Sequence, residues 1–259
     1  INAATVFGDN AQIYENISAA AVATGDIAQV FNNAGFGTGA GARYTQVIMG
    51  GANSTGGSIL QFGGNDANLG LTQNRVRSNQ SVIFTGIADQ NILQIGGNTV
   101  NAGNNAVIGQ EVQIGAEGDT IVQIGGNLGT AGNNFVANQA VIENATSSAG
   151  STTFQFAGNL FIDTGAGSET DSALGQLISG GSRGGANAVQ IFANLGTLNR
   201  LPFGGNEEYH YDVTQINIGD ARASNGVLQI QPNIVLWETA ATGGWAPMVN
   251  GNAVAPNVL

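Results

Sequence analysis

Apolar residues in this chain come in short runs that alternate with polar ones and close on glycine and asparagine. Ile59-Leu60-Gln61-Phe62 runs into Gly63-Gly64-Asn65, and Ile121-Val122-Gln123-Ile124 into Gly125-Gly126-Asn127. Alternation at period two sets side chains on opposite faces of a strand, and Gly or Asn accepts the backbone of a reversal. Each run therefore predicts a strand and each cluster a turn. Helical patterning is scarce: Glu169 to Ser179, with Ser168 as N-cap, is the one stretch that predicts a short helix. Gly35 to Gly41 reads as a glycine-rich loop without a dinucleotide fingerprint.

The runs are copies of one another. LQIGGNTVNAGNNAVIGQ (93 to 110) and VQIGGNLGTAGNNFVANQ (122 to 139) agree at 11 of 18 positions, which marks an internal duplication. A Gln followed four residues later by an Asn recurs at Gln12/Asn16, Gln29/Asn33, Gln61/Asn65, Gln94/Asn98, Gln123/Asn127, Gln155/Asn159, Gln190/Asn194 and Gln229/Asn233. Gln46, Gln80, Gln110 and Gln139 fall about midway, so a unit near 32 residues divides into two halves near 16. If such units stack in register, the amides lie above one another and donate and accept along the stack as ladders. That stacking is what makes buried amides tolerable, since an unpartnered one costs about 1–3 kcal/mol. The fold expected is all-β: a repetitive β-solenoid, or a stack of β-arches or hairpins with Gly/Asn turns. The alternative is a β-sandwich or jelly-roll subunit with strand exchange.

All four prolines, both tryptophans and His210 lie after residue 199. The chain thus divides into a Gln/Asn/Gly-rich β-repeat region, 1–199, and a C-terminal cap or assembly segment, 200–259. Within the latter, Val227 to Trp237 is the most apolar stretch and is expected to pair with the body or with a neighbouring subunit.

The segment Ile59 to Ala67, with Gln73 beyond it, resembles the curlin repeats of bacterial curli fibres, whose units carry Gln, Gly, Asn, Ala and Gln at fixed spacing in a strand-turn-strand. The spacing departs from that family: Asn follows Gln by four residues here and by five there, and the unit is near 32 residues rather than 22. The resemblance implies a secreted, acidic, lysine-poor subunit that polymerises by stacking β-units into extracellular fibres.

Composition narrows the chemistry. There are 17 Asp+Glu against 6 basic residues, all arginine, for a net charge of −11. A chain so poor in cations is unsuited to nucleic acid, which needs clustered Lys and Arg. Without lysine there is no phosphate loop of the Walker type and no Schiff base; without cysteine there is no thiol nucleophile or thiolate zinc site. His210 is the one histidine, no G-x-S-x-G elbow is present, and no apolar run approaches a membrane span. The start at Ile1 rather than Met reads as a chain whose targeting segment has been removed.

Two acidic stretches remain. Asp163, Glu169 and Asp171 lie in one loop as weak calcium candidates against the plainer reading of a solvated acidic loop. Glu207 to Asp212 reads as an exposed polar and aromatic strand. Arg75 and Arg77, two apart, are expected on one strand face, and Asn16, Asn53, Asn79 and Asn144 head N-x-S/T sequons. No catalytic residue and no cofactor is expected, calcium aside. The expected function is a non-enzymatic structural subunit, extracellular or at a cell surface, whose partner is itself, with matrix polysaccharide a further partner. The rivals are a polysaccharide-binding or polysaccharide-degrading β-solenoid using Asp163, Asp171 or Asp212, and a viral capsid or tail-fibre subunit.

Overall fold

The computed structural model describes residues 1–6, 9–10, 12–37, 39–70, 75–164, 171–198, 210–239 and 244–248. Their strands fall alternately into two sheets. One holds β1 (Asn2–Val6), β3 (Ile27–Gly37), β5 (Ile59–Asn68), β7 (Ile92–Asn101), β9 (Ile121–Ala131), β11 (Thr152–Asp163) and β13 (Asn187–Leu198). At its end β15 (Gly226–Ile230) and β16 (Asn233–Thr239) both lie on β13, and β17 (Gly244–Met248) lies on β16. The other sheet holds β2 (Gln12–Ala23), β4 (Arg43–Ser54), β6 (Arg77–Ala88), β8 (Val107–Gly118), β10 (Val136–Ser147), β12 (Asp171–Gly184) and β14 (His210–Arg222). We call them the first and second sheets.

Successive strands of a sheet are parallel and in register, as in Gln61↔Gln94 and Gln94↔Gln123; only β16 and β17 pair antiparallel. From β1 to β15 the chain changes sheet after every strand, so two strands and two corners make one turn of a β-solenoid of about six turns. The units are arches rather than hairpins, and their stacking lies within one chain; a sandwich or jelly roll does not form. The boundary at 199/200 falls between β13 and β14. Beyond it β14, β15 and β16 keep the parallel register, and Val227 to Trp237 pairs with the body through β15 and β16, interrupted at Gln231-Pro232.

Three local expectations are corrected. Gly63-Gly64-Asn65 and its copies sit in the middle of strands of ten to twelve residues, not at turns. The reversals lie further on, at left-handed residues such as Gly56, Asn105 and Asn134. Residues 171–179 of the expected helix belong to β12, where pairing with β10 overrides local preference; 168–170 lie outside the described residues. Gly35 and Gly37 are buried in β3 rather than looped out, because the Tyr44 ring lies against both. A Cβ on Gly35 would meet that ring at 3.1 Å.

The core is layered. Ile27, Ile59, Ile92 and Ile121 stack at one margin; Val82, Phe84, Val112 and Phe192 fill the middle; Tyr44, Ile108, Phe135 and Phe161 fill the other margin. In the middle layer each turn opposes a large residue to a small one across the midplane. Phe31 faces Gly50, whose Cβ would approach the ring to 2.8 Å; Phe84 faces Gly63, also at 2.8 Å; Val82 and Val112 close on Gly96, at 3.0 and 3.2 Å from where its Cβ would stand. The second glycine of each pair points outward instead, and a Cβ on Gly64 would meet only the Gly97 carbonyl at 3.4 Å.

Adjacent glycines should therefore respond oppositely. Gly63→Ala, overpacked against Phe84, is expected to lose about 1–3 kcal/mol of unfolding free energy. Gly64→Ala should be neutral or gain up to about 1 kcal/mol, because glycine is unfavourable in a strand interior. Urea unfolding of both variants checks the pair; equal losses would contradict the inward/outward assignment.

Candidate functional site

Three ladders of side-chain amides run the length of the solenoid between the apolar layers. In the first sheet Gln61, Gln94, Gln123, Gln155, Gln190 and Gln229 each donate through Nε2 to Oε1 of the glutamine one turn earlier, starting from Gln29, at 2.7–3.1 Å. Beside it Asn33, Asn65, Asn98, Asn127, Asn159 and Asn194 donate through Nδ2 to Oδ1 one turn later, ending on Asn233, at 2.8–3.0 Å. The two ladders have opposite polarity. Asn2 extends the second by donating to Asn33.

The third ladder lies in the second sheet. Gln80, Gln110, Gln139, Gln176 and Gln215 donate to the glutamine before them, and Gln46, the first, donates to the Glu15 carboxylate at 2.6 Å. The halfway glutamines of the sequence thus have a stack of their own, to which Glu15, Gln176 and Gln215 belong. Their signal was present in register alone, since the longer last turns shift them from the midpoint. Gln12 and Asn16 stand outside every ladder: they are exposed on β2, and the residues of β2 that point inward between them are Ile13 and Glu15, of which Glu15 takes the ladder position.

Most ladder amides also bond across the core. Gln94 donates to the Gly115 carbonyl at 2.9 Å, Asn98 to that of Glu111 at 2.9 Å, and Gln80 of the second sheet to that of Thr99 in the first at 2.8 Å. A carbonyl has two lone pairs and an amide two donors, so one bond along the axis and one across it satisfy both.

Other sequence candidates are placed as follows. Asp163 is buried at the end of β11, Asp171 begins β12, and Glu169 lies outside the described residues. Among the described residues no three His, Cys, Asp or Glu side chains come together as metal ligands. His210, Tyr211 and Asp212 open β14, and Glu207 to Tyr209 lie outside the described residues. Arg75 sits at a left-handed bend (φ 62°) before β6, so it does not share a strand face with Arg77, which instead pairs with Arg43. Asn16, Asn53, Asn79 and Asn144 are all exposed on strands of the second sheet.

Two acids are buried without their full complement of bonds. Glu143 occupies the middle-layer column between Ile114 and Gly180, fully buried, and neither carboxyl oxygen has a hydrogen-bond partner. Burial pushes its pKa well above the ordinary glutamate range, and the nearby N–H of Gly125 offsets only part of that. Glu15 Oε1 is likewise buried and unpartnered. Burial, and next to it the Glu15 charge, raise the pKa of Tyr44.

The outer faces differ. On the second sheet a groove of about 590 Å³ runs across β4 to β14, bordered by Thr45, Asn79, Glu111, Asn138, Leu177 and Thr214. The first sheet presents columns of exposed apolar residues beside its outward glycines. The long strands β2 and β14 end the second sheet, each unpaired on its outer side among the described residues. No protein-family model, no curated protein and no solved structure matches the chain, and nothing found links it to curlin-type subunits.

Two predictions follow from the ladders and the buried acid. Gln94→Ala removes the donor to Gln61 Oε1 and should cost about 2–4 kcal/mol, while Asn16→Ala on the surface should stay within about 0.5 kcal/mol; chemical denaturation compares them. For Glu143, a raised folded-state pKa means that stability is full below the ordinary glutamate range and is lost as pH rises through the raised value. Each unit of elevation is worth about 1.4 kcal/mol. Glu143→Gln should flatten the fall in melting temperature between mildly acidic and alkaline pH; parallel profiles for variant and wild type would refute the assignment.

Proposed function

We propose that the chain is a non-enzymatic structural subunit that assembles with copies of itself, end to end, into an extended extracellular fibre or layer. The observation that carries this reading is the pair of open edges. β2 and β14 are twelve and thirteen residues long, belong to one sheet, and lie at opposite ends of one ladder. Natural edge strands are usually blunted by lysine, proline or inward charge. Neither strand has lysine or proline, Val213 to Gly219 of β14 carries no charge, and β2 has one inward acid, Glu15. Parallel addition of β14 of one copy to β2 of the next would continue the spacing of the solenoid. Such a contact is heterologous and does not close on itself, so it generates filaments.

The other sheet supports the same direction less fully. β17 covers the outer edge of β16 and places Pro247 opposite Leu236, which closes that part of the first sheet. The joint therefore rests on β14 and β2.

A second reading, a polysaccharide-binding protein, draws on the groove across the second sheet, where amides and hydroxyls of Thr45, Asn79, Asn138 and Thr214 share one register column, with Gly109 and Gly175 on the rungs between them. The four sequon asparagines lie on that same sheet.

Negative-stain microscopy and light scattering of the full chain test the assembly. Wild type should form filaments, and Ile216→Lys/Ile218→Lys, which sets charge on exposed positions of β14, should remain unpolymerised with an unchanged β-type circular dichroism spectrum. Wild type that stays free of polymer in all conditions, or filaments indifferent to the lysines, would overturn the end-to-end reading.

A further inference from the structure

The outer face of the first sheet carries a surface that the end-to-end contact does not use. Strands β3, β5, β7, β9, β11 and β13 contain two charged residues between them, Asp163, which is buried, and Asp66, which is exposed. Outward positions repeat in register. Phe62, Ile95, Ile124, Phe156 and Ile191 form one rib, extended by Val30 and Ile230. Leu60, Leu93, Val122, Phe154 and Val189 form a second rib beside it, with the Phe154 and Phe156 rings stacked at 6.4 Å. Val30 is 65 % exposed and Phe62 48 % exposed, although both are large and apolar.

On the other flank of the Phe62 rib, Gly64, Gly97, Gly126 and Gly158 form a trough, with a groove of about 390 Å³ along it bordered by Thr99, Leu128, Leu160 and Leu195. Built Cβ atoms on these glycines meet only neighbouring carbonyl oxygens, at 3.4–3.9 Å. The subunit's own packing therefore does not require them to be glycine.

We infer that this face is a lateral interface with the same face of a second copy, the rib of each lying in the trough of the other. A two-fold axis parallel to the solenoid axis and passing between the Phe62 and Gly64 columns brings this about. It also sets the Leu60 rib against the column of Asp66, Thr99, Leu128 and Leu160, so Val122 meets Leu128 and Phe154 meets Leu160, while Leu60 meets Asp66 at the N-terminal end. The relation is isologous, as closed dimers require. Strand spacing and residue rise make the surface about 30 Å along the axis and 20 Å across, or roughly 600 Å² per copy. The pair buries about 1,200 Å², the lower bound of stable specific interfaces. A largely apolar surface of this size stands at the upper end of the largest patch a typical monomer exposes, about 300–600 Å². A second copy is the occupant that supplies both a rib for the trough and a trough for the rib.

The test separates this contact from the end-to-end one. In the Ile216→Lys/Ile218→Lys background the full chain should be a dimer by light scattering at micromolar concentration. Adding Gly97→Val/Gly126→Val should weaken the dimer about tenfold or more while leaving the melting temperature unchanged or higher. The direction is diagnostic, since these valines add apolar surface: a merely sticky face would associate more. A monomeric parent, or a dimer that survives filling of the trough, overturns the inference. So does a parent that stays monomeric and floats with phosphatidylcholine vesicles, which would make the face a lipid contact. Wild-type filaments with no dimer in the lysine background reject the lateral contact and spare the end-to-end reading; a dimer without wild-type filaments does the reverse.

Discussion

The bond on which this molecule depends is the side-chain amide bond that serves two directions at once. One N–H of Gln94 reaches the glutamine of the previous turn, and the other reaches a carbonyl of the opposite sheet. The first sets the rung spacing and the second holds the sheets together. The amides also fix register, because a slip of one residue in any strand would turn its Gln and Asn to the outside and leave their neighbours unpartnered in the core. That is a sharper specification than apolar packing alone gives, since isoleucine columns tolerate exchange of similar volumes and an amide ladder does not. Each turn contacts only its neighbours, so the specification is repeated locally along the whole solenoid.

Between the ladders the constraint is volume. The sheets stand close enough that the middle layer accommodates one large side chain per facing pair, which is why Phe31 stands over Gly50 and Phe84 over Gly63. The large residue stands in the first sheet at Phe31 and Phe192 and in the second at Phe84 and Glu143, so no single column of the repeat conserves its identity. Glu143 takes the large role opposite Gly125. It fits the volume rule and breaks the polarity rule, and the result is a buried acid with a raised pKa in a layer of Val, Ile and Phe.

This explains what was legible in the sequence. The Gln and Asn recurrence, the near 32-residue unit and its two halves could be read directly, because an amide ladder forces the same residue type at the same register in every turn. The corners could not. Gly-Gly-Asn looked like a turn because glycine and asparagine usually mark one, whereas here the first glycine admits a facing ring, the second leaves the outer surface bare, and the asparagine is a ladder member. Gln12 and Asn16 met the spacing by coincidence on a strand of the other sheet, and Glu15 between them escaped notice since a carboxylate stands where every later turn has an amide. Gln176 and Gln215 were hidden by longer corners: their offsets from the preceding ladder residue are 37 and 39, against 29 for Gln139. The exposed apolar ribs were visible as residues but not as a surface, because only the in-register stacking brings Phe62, Ile124 and Phe156 onto one line.

The ladders also make the two ends of the solenoid chemically different. In the second sheet every glutamine donates toward the N-terminal end, so the series closes there on Glu15, which accepts, and leaves Gln215 Oε1 at the far end with no donor among the described residues. In a joint of β14 with β2, that oxygen would meet Glu15 of the next copy, whose carboxyl already accepts from Gln46, an acceptor against an acceptor. The asparagine ladder has the reverse polarity and meets its continuation as donor to acceptor, Asn233 toward Asn2. An assembled fibre would thus carry one mismatched ladder at each joint and matched bonds inside each subunit, which makes the joint weaker than the body it connects. A repeat protein whose internal rungs all match gains from such a mismatch: it marks where one copy ends and keeps the chain's own turns, rather than those of its neighbours, the preferred partners during folding.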